Sequence, residues 1–213
     1  MNNSIESIWE KGFLKQDALV APQVNNLYDK KSIHIIDKLK KMFKINLQAI
    51  VFSSLVILAV TLIIGVPVLG ILFFILLNWL VVKGYKEMKK LNTIDKSVSS
   101  YQFLKSFDRW MKVQIEDYTR FYKLFYPLFF LSFIIGIYFS TFGDMILAEL
   151  LIAFPNSHVL FGMPLFVVII FTVITTALGI FAGALYRLDV NLVYGNTIRK
   201  LDEIINDMEE LRN

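Results

Sequence analysis

From Ile45 to Val82 the chain reads INLQAIVFSSLVILAVTLIIGVPVLGILFFILLNWLVV, without one Asp, Glu, Lys, Arg or His. A helix in water must show a polar face, and this run has none, so its solvent is a bilayer. It is long enough for two crossings of about 17–20 residues each. Gly65-Val66-Pro67 supplies the turn between them. Glycine can end the first helix in a left-handed cap, and proline can open the second, where its missing N–H costs nothing. The feature is a membrane hairpin.

The rest of the composition agrees. The chain has 213 residues, 56% of them hydrophobic, with a mean hydropathy of +0.57. That apolar fraction exceeds the usual range for globular domains and fits an all-α, multi-pass membrane protein. There is no cysteine, which excludes disulfides, thiolate catalysis and Cys-ligated metals. The opening residues lack a basic stretch followed by an apolar run, so no cleaved signal peptide is expected.

Five stretches follow in order. Residues 1–46 are expected to be amphipathic helices on the cytosolic side. Asn3 and Glu6 can form a capping box, and Ile5, Ile8 and Trp9 then share a face that either folds back on the protein or docks a partner. Pro22 is expected to end this first helix. A second begins after it, with Ile35, Leu39, Met42 and Phe43 at helical spacing. Lys38, Lys40, Lys41 and Lys44 lie between them and suit anionic lipid headgroups better than nucleic acid. His34, a lone imidazole, reads as structural.

Residues 47–83 hold the hairpin, with Trp79 marking its inner boundary. Residues 84–123 read as a cytosolic helical hairpin turning at Asn92–Ser99. Leu104, Phe107, Met111, Ile115, Tyr118, Tyr122 and Phe125 form its stripe, and Asp108–Lys112 and Glu116–Arg120 are spaced for ion pairs. Residues 124–186 hold the third crossing, Leu124–Thr141, where Pro127 is a candidate kink, and the fourth, Phe161–Tyr186. Between them lies an external loop, 142–160, whose apolar part, Met145 to Phe154, suits a short interfacial helix or a segment that dips into the membrane. Asp144, Glu149 and His158 in that loop fail as metal ligands, because the two acids are five residues apart and off a common face.

In the fourth crossing Thr175, Gly179 and Gly183 make a small-residue stripe that lets another helix approach, from this chain or from a second copy. Residues 187–213 carry Tyr194, Ile198, Leu201, Ile205 and Met208 at steps of three and four. Gly195-Asn196 is a candidate interruption. Each of the three polar segments has an apolar stripe and abuts a crossing, so a bundle of helical extensions is expected, the alternative being helices laid flat on the inner leaflet with their lysines towards lipid phosphate. In that bundle the acidic tail would sit beside the basic 38–44 segment.

The 22 Lys and Arg residues set the orientation: eight precede the first crossing, ten lie between Lys83 and Lys123, and four follow Tyr186. None falls in the 65–67 turn or the 142–160 loop. By the positive-inside rule both termini and the central hairpin are cytoplasmic, which predicts an inner-membrane protein.

Lys30-Lys31-Ser32, Ile36, Lys38-Leu39-Lys40 and Lys44-Ile45-Asn46-Leu47 entering a crossing, with Trp9 in an early helix, resemble a loose family of uncharacterised multi-pass inner-membrane proteins of Bacteroidetes. Some of its members are encoded beside extracytoplasmic-function sigma factors, which implies a link to regulation. The likeness spans the first quarter of the chain and brings no catalytic residues.

Function classes separate on what the crossings lack. No HExxH, GxSxG or phosphate-binding glycine loop occurs, so neither catalytic residues nor a cofactor is expected. Coupled transporters place ionisable side chains near the midplane; here there are none, and a small transporter or pore would rely on backbone and hydroxyl groups. Ser53, Ser54, Thr172 and Thr176 are expected to bond between helices instead. The leading expectation is a non-catalytic membrane protein that presents cytosolic helices to a protein partner, as scaffold or regulator.

Overall fold

The computed structural model describes the backbone of residues 5–91 and 100–210, and side chains over 30–91 and 101–210. In order, the elements are α1 (Ile5–Ile63), α2 (Pro67–Leu91), α3 (Ser100–Tyr138), α4 (Thr141–Ala153), β1 (Val159–Leu160), β2 (Met163–Pro164) and α5 (Leu165–Glu210). The fold is all-α apart from the short β1–β2 hairpin. Four helices, α1, α2, α3 and α5, are long and apolar enough to cross a membrane. Each also extends beyond its apolar span, so the molecule has a membrane half and a polar half.

The α1–α2 turn is made as its residues require. Gly65 is left-handed, with φ of 81°. The Val66 N–H donates to the Thr61 carbonyl at 2.9 Å and the Gly65 N–H to that of Leu62 at 3.4 Å. That pair of bonds is a Schellman cap, and it satisfies carbonyls that lipid could not. Pro67 then opens α2.

Two expected breaks are absent: α1 runs through Pro22 and α5 through Gly195, and Pro127 lies inside the continuous α3. A proline in a helix costs about 3 kcal/mol and a glycine about 1, both local penalties. Beyond Gly195, burial of Thr197 (4% exposed) and Leu201 (0%) holds α5 on its course. The first helix expected over 1–22 is therefore the leading part of α1; the side chains of Ile5, Ile8 and Trp9 lie outside the described residues, as does the turn expected at Asn92–Ser99.

The far loop is more structured than expected. Ser140 caps α4 by accepting from the Gly143 N–H at 3.2 Å, and Asp144 stands exposed in the first turn, where a negative charge suits the helix N-terminus. β1 and β2 pair antiparallel across Phe161 (φ 52°) and Gly162 (φ 70°), both left-handed, as a two-residue hairpin turn requires. The fourth crossing consequently starts at Leu165, four residues later than expected.

In the polar half the three stripes meet. Ile35, Ile36 and Leu39 of α1, Leu91 of α2, Phe103, Leu104, Phe107 and Met111 of α3 and Leu201 of α5 form one buried core. The extensions thus form a bundle. The acidic tail departs from expectation, however, because α5 packs chiefly on α3. Glu209 accepts from Tyr101 Oη at 2.7 Å and from Lys105 Nζ at 3.1 Å, and Asp202 lies near Lys112 and Asp108. The Asp108–Lys112 pair closes at 2.7 Å; Glu116–Arg120 is not among the ion pairs of the described residues.

Candidate ligand recess where the bundle meets the membrane

Just below the apolar spans, all four long helices line a recess of about 90 Å³. Its position follows from packing on either side. Gly84 of α2 lets Leu47 of α1 approach so closely that a Cβ there would meet Leu47 Cδ2 at 2.5 Å. Glu87, one turn on, is thereby held against the interior and is only 7% exposed. On α3, Trp110, Gln114 and Tyr118 stand four residues apart and so share one face. On α5, Tyr186, Val190, Tyr194 and Ile198 do the same. Leu39, Lys40 and Phe43 of α1 complete the wall with Leu91, Phe107, Met111 and Ile115.

Beside the recess are buried polar atoms that have no hydrogen-bond partner among the described residues. Glu87 Oε1 accepts from Lys90 Nζ at 2.9 Å, but Glu87 Oε2 has no hydrogen-bond partner. Gln114 Oε1 and Trp110 Nε1 are likewise buried and unpaired. Such atoms are uncommon in folded proteins, because each has given up water without compensation. Burial pushes the Tyr118 phenol well above its usual pKa, and the Glu87 carboxylate adds to the shift. Burial also raises Tyr194, opposed by the hydrogen bond from Asn46 Nδ2 at 3.3 Å. These phenols are therefore neutral hydroxyls at physiological pH. The surface of the recess itself is almost wholly apolar, and the unpaired polar atoms are enclosed in the packing beside it.

Above it lies an aromatic collar. Trp79 meets Phe121 edge-on with centroids 4.9 Å apart, Tyr122 stacks on Tyr186 at 4.6 Å, and Lys83 Nζ sits 4.9 Å from the Tyr118 ring centre. Trp79 therefore does lie beside the first basic residue that follows the hairpin.

The residues singled out in the sequence are distributed as follows. Gly179 faces α3: a Cβ there would touch the Pro127 ring at 3.4 Å, and one at Gly183 would meet Thr119 Cγ2 at 3.0 Å. The half-buried stripe thus has an intrachain neighbour, while Thr175 spends its hydroxyl on the Phe171 carbonyl at 2.7 Å. Lys38, Lys41 and Lys44 are exposed on the outer side of α1, whereas Lys40 is half-buried and lines the recess. Asn78 Nδ2 donates to Ser54 Oγ at 3.2 Å, an interhelical bond. Thr172 and Thr176 instead bond back to carbonyls of α5, contrary to expectation. Among the described residues no group of His, Asp and Glu could hold a metal ion. His34 and His158 are exposed.

Sequence reading missed Glu87, Gln114 and Trp110. Glu87 sits in the run Lys86-Glu87-Met88-Lys89-Lys90, where it reads as one more solvated charge. Its burial follows from Gly84, whose role is visible only once Leu47 is beside it. Comparison with known protein families, curated proteins and solved structures finds no match for this chain.

Proposed function

We propose that the chain is a non-catalytic multi-pass protein of the inner membrane, with both termini cytoplasmic, that presents its polar bundle to a protein partner as a scaffold or regulator. One observation carries this reading: α1, α2, α3 and α5 each pass from apolar span to bundle without a break. A bundle joined to its spans by four continuous helices has no hinge, so tilting in the membrane half is transmitted to the surface it offers. The exposed Lys38, Lys41 and Lys44 suit the anionic surface of the inner leaflet, and the one-sided lysine and arginine distribution supports the orientation. The resemblance of the first quarter to proteins encoded beside sigma factors favours the regulatory form. A transporter or pore is less well supported, since Ser54, Thr61, Asn78 and Ser132 spend hydrogen bonds on carbonyls of their own helices.

Two experiments test it. Ser106→Cys and Ser157→Cys, placed singly, should label in opposite compartments, with Ser157→Cys reacting with an impermeant thiol reagent in intact cells; the reverse pattern would overturn the orientation. A photo-crosslinking residue at Arg109 or Glu203 should give one discrete protein adduct in cells, and at Ser157 none. No discrete adduct from either bundle position would remove the scaffold reading.

A further inference from the structure

We infer that α4 is embedded in the membrane, lying along the leaflet opposite the bundle with its outward face among lipid acyl chains. This goes beyond the scaffold reading, and it holds whichever compartment the bundle faces. α3 ends at Tyr138 and α4 begins at Thr141, so only Phe139 and Ser140 separate them. Gly143 lets the chain fold back tightly, since a Cβ there would run into the Ile137 carbonyl oxygen. Ile146, Leu147 and Leu150 then wall a small apolar cavity of about 100 Å³ together with Phe133 of α3 and Phe171 of α5. Those two phenylalanines lie inside the spans, about 8 Å below the end of α3 and about 9 Å below the start of α5 by the helical rise. α4 therefore reaches down beside the spans.

The faces of α4 fit that depth. Gly143, Leu147 and Leu150, at steps of four and three, turn inward. Met145 and Ile152 share the opposite face and are 64 and 80% exposed. A helix resting in water would place polar residues there. Its acids, Asp144 and Glu149, are exposed to either side of that face instead. A carboxylate is costly in hydrocarbon, so they hold α4 at the boundary of headgroups and acyl chains, where an apolar face sinks about 5–10 Å. The positions of Phe133 and Phe171 agree with that figure.

Lipid is the occupant because this apolar surface continues that of the spans at both ends. Phe139 and Phe142, both exposed, carry it over from α3. At the other end the Phe154 ring meets that of Phe166, at the start of α5, with centroids 5.0 Å apart. No Lys or Arg occurs between Lys123 and Arg187. Attraction to anionic headgroups therefore plays no part, and apolar burial holds the helix down.

The test uses the cysteine-free full chain in phosphatidylcholine nanodiscs, with a nitroxide on one introduced cysteine at a time. Collisions with oxygen, which concentrates among acyl chains, are compared with those of a water-soluble nickel chelate. Ile152→Cys and Met145→Cys should favour oxygen several-fold, as Val173→Cys within the α5 span does, whereas Asn156→Cys in the exposed loop should favour nickel. Nickel access at Ile152→Cys equal to that at Asn156→Cys would place α4 in water. Shielding from both reagents would place it against a protein, a second copy included. Either result would overturn the inference, and Met145→Cys decides in the same way if Ile152→Cys does not fold.

Discussion

The two halves of the molecule hold together by different means. In the polar half, Ile36, Leu104, Phe107 and Leu201 are at most 2% exposed, and the core draws on all four long helices. In the membrane half, the most apolar windows of α1, α2, α3 and α5 are only 17, 28, 17 and 11% buried, and Phe52, Ile63 and Phe181 are each more than 60% exposed. Water drives the first arrangement, since a stripe of leucines exposed there is costly. Lipid supplies no such drive, because its tails are as apolar as the side chains. The membrane half instead relies on close approach and a few hydrogen bonds. Gly136 lets the Leu69 backbone of α2 come within 2.5 Å of where a Cβ would stand, and Phe73 stacks on Phe129 at 4.1 Å.

The contrast is sharpest for truncation of buried leucines. Leu104→Ala or Leu201→Ala should lower stability by about 2–5 kcal/mol, the range for large-to-small changes in a packed core, read as a fall in thermal midpoint in mild detergent. Ile63→Ala, at 84% exposure in the membrane half, should leave it nearly unchanged. Equal losses would break the distinction between the halves.

Enlarging small residues should reverse the asymmetry. Gly136→Ile and Gly183→Ile add atoms where α2 and α5 pass closest to α3, and should cost about 1–3 kcal/mol by overpacking. Exposed Ala184→Ile, adjacent on α5, is the control and should be silent. If Gly183→Ile were silent too, α3 and α5 would not meet there.

A smaller effect belongs to the Asn78–Ser54 bond, the interhelical polar contact of the hairpin. Asn78→Leu should cost about 0.6 kcal/mol, typical of such bonds in membranes.

The smallest effects are electrostatic and confined to the polar half. The hydrogen bond from Tyr101, then that from Lys105, holds Glu209 below its ordinary pKa. Its contribution is therefore present above pH 4.5 and lost as pH falls through the lowered value. Lys105, raised by its bonds to Tyr101 and Glu209, contributes below pH 10.5 and loses that contribution as pH rises through its raised value. Asp202 has the opposite sign to Glu209: burial, then Asp108, raises its pKa, so its ionised form disfavours the fold at neutral pH. Asp202→Asn should stabilise slightly at pH 7, with the gain vanishing in acid. Glu209→Gln should destabilise slightly at pH 7, and less in high salt. Melting curves across pH and salt would check both signs.

Much of this architecture is local in origin, and that part was legible residue by residue. The charge-free run Ile45 to Val82, the Gly65 cap with Pro67 after it, and the stripe through Leu104, Phe107 and Met111 each follow from a solvent preference or a backbone geometry contained within a few turns. Which surfaces meet is a different matter, because it depends on segments far apart in the chain. The Thr175–Gly179–Gly183 stripe announces a close neighbour without naming it, and only the fold supplies Thr119 and Pro127. Gly195 reads as a break until α3 and α1 hold α5 straight beyond it. The acidic tail could balance its charge against several basic stretches, and the packing of α5 on α3 selected Lys105. Glu87 is the clearest case. Its neighbours in sequence are lysines and water, its surroundings in space are the aromatic and apolar side chains that line the recess with it, and tertiary contact between Gly84 and Leu47 turns the one environment into the other.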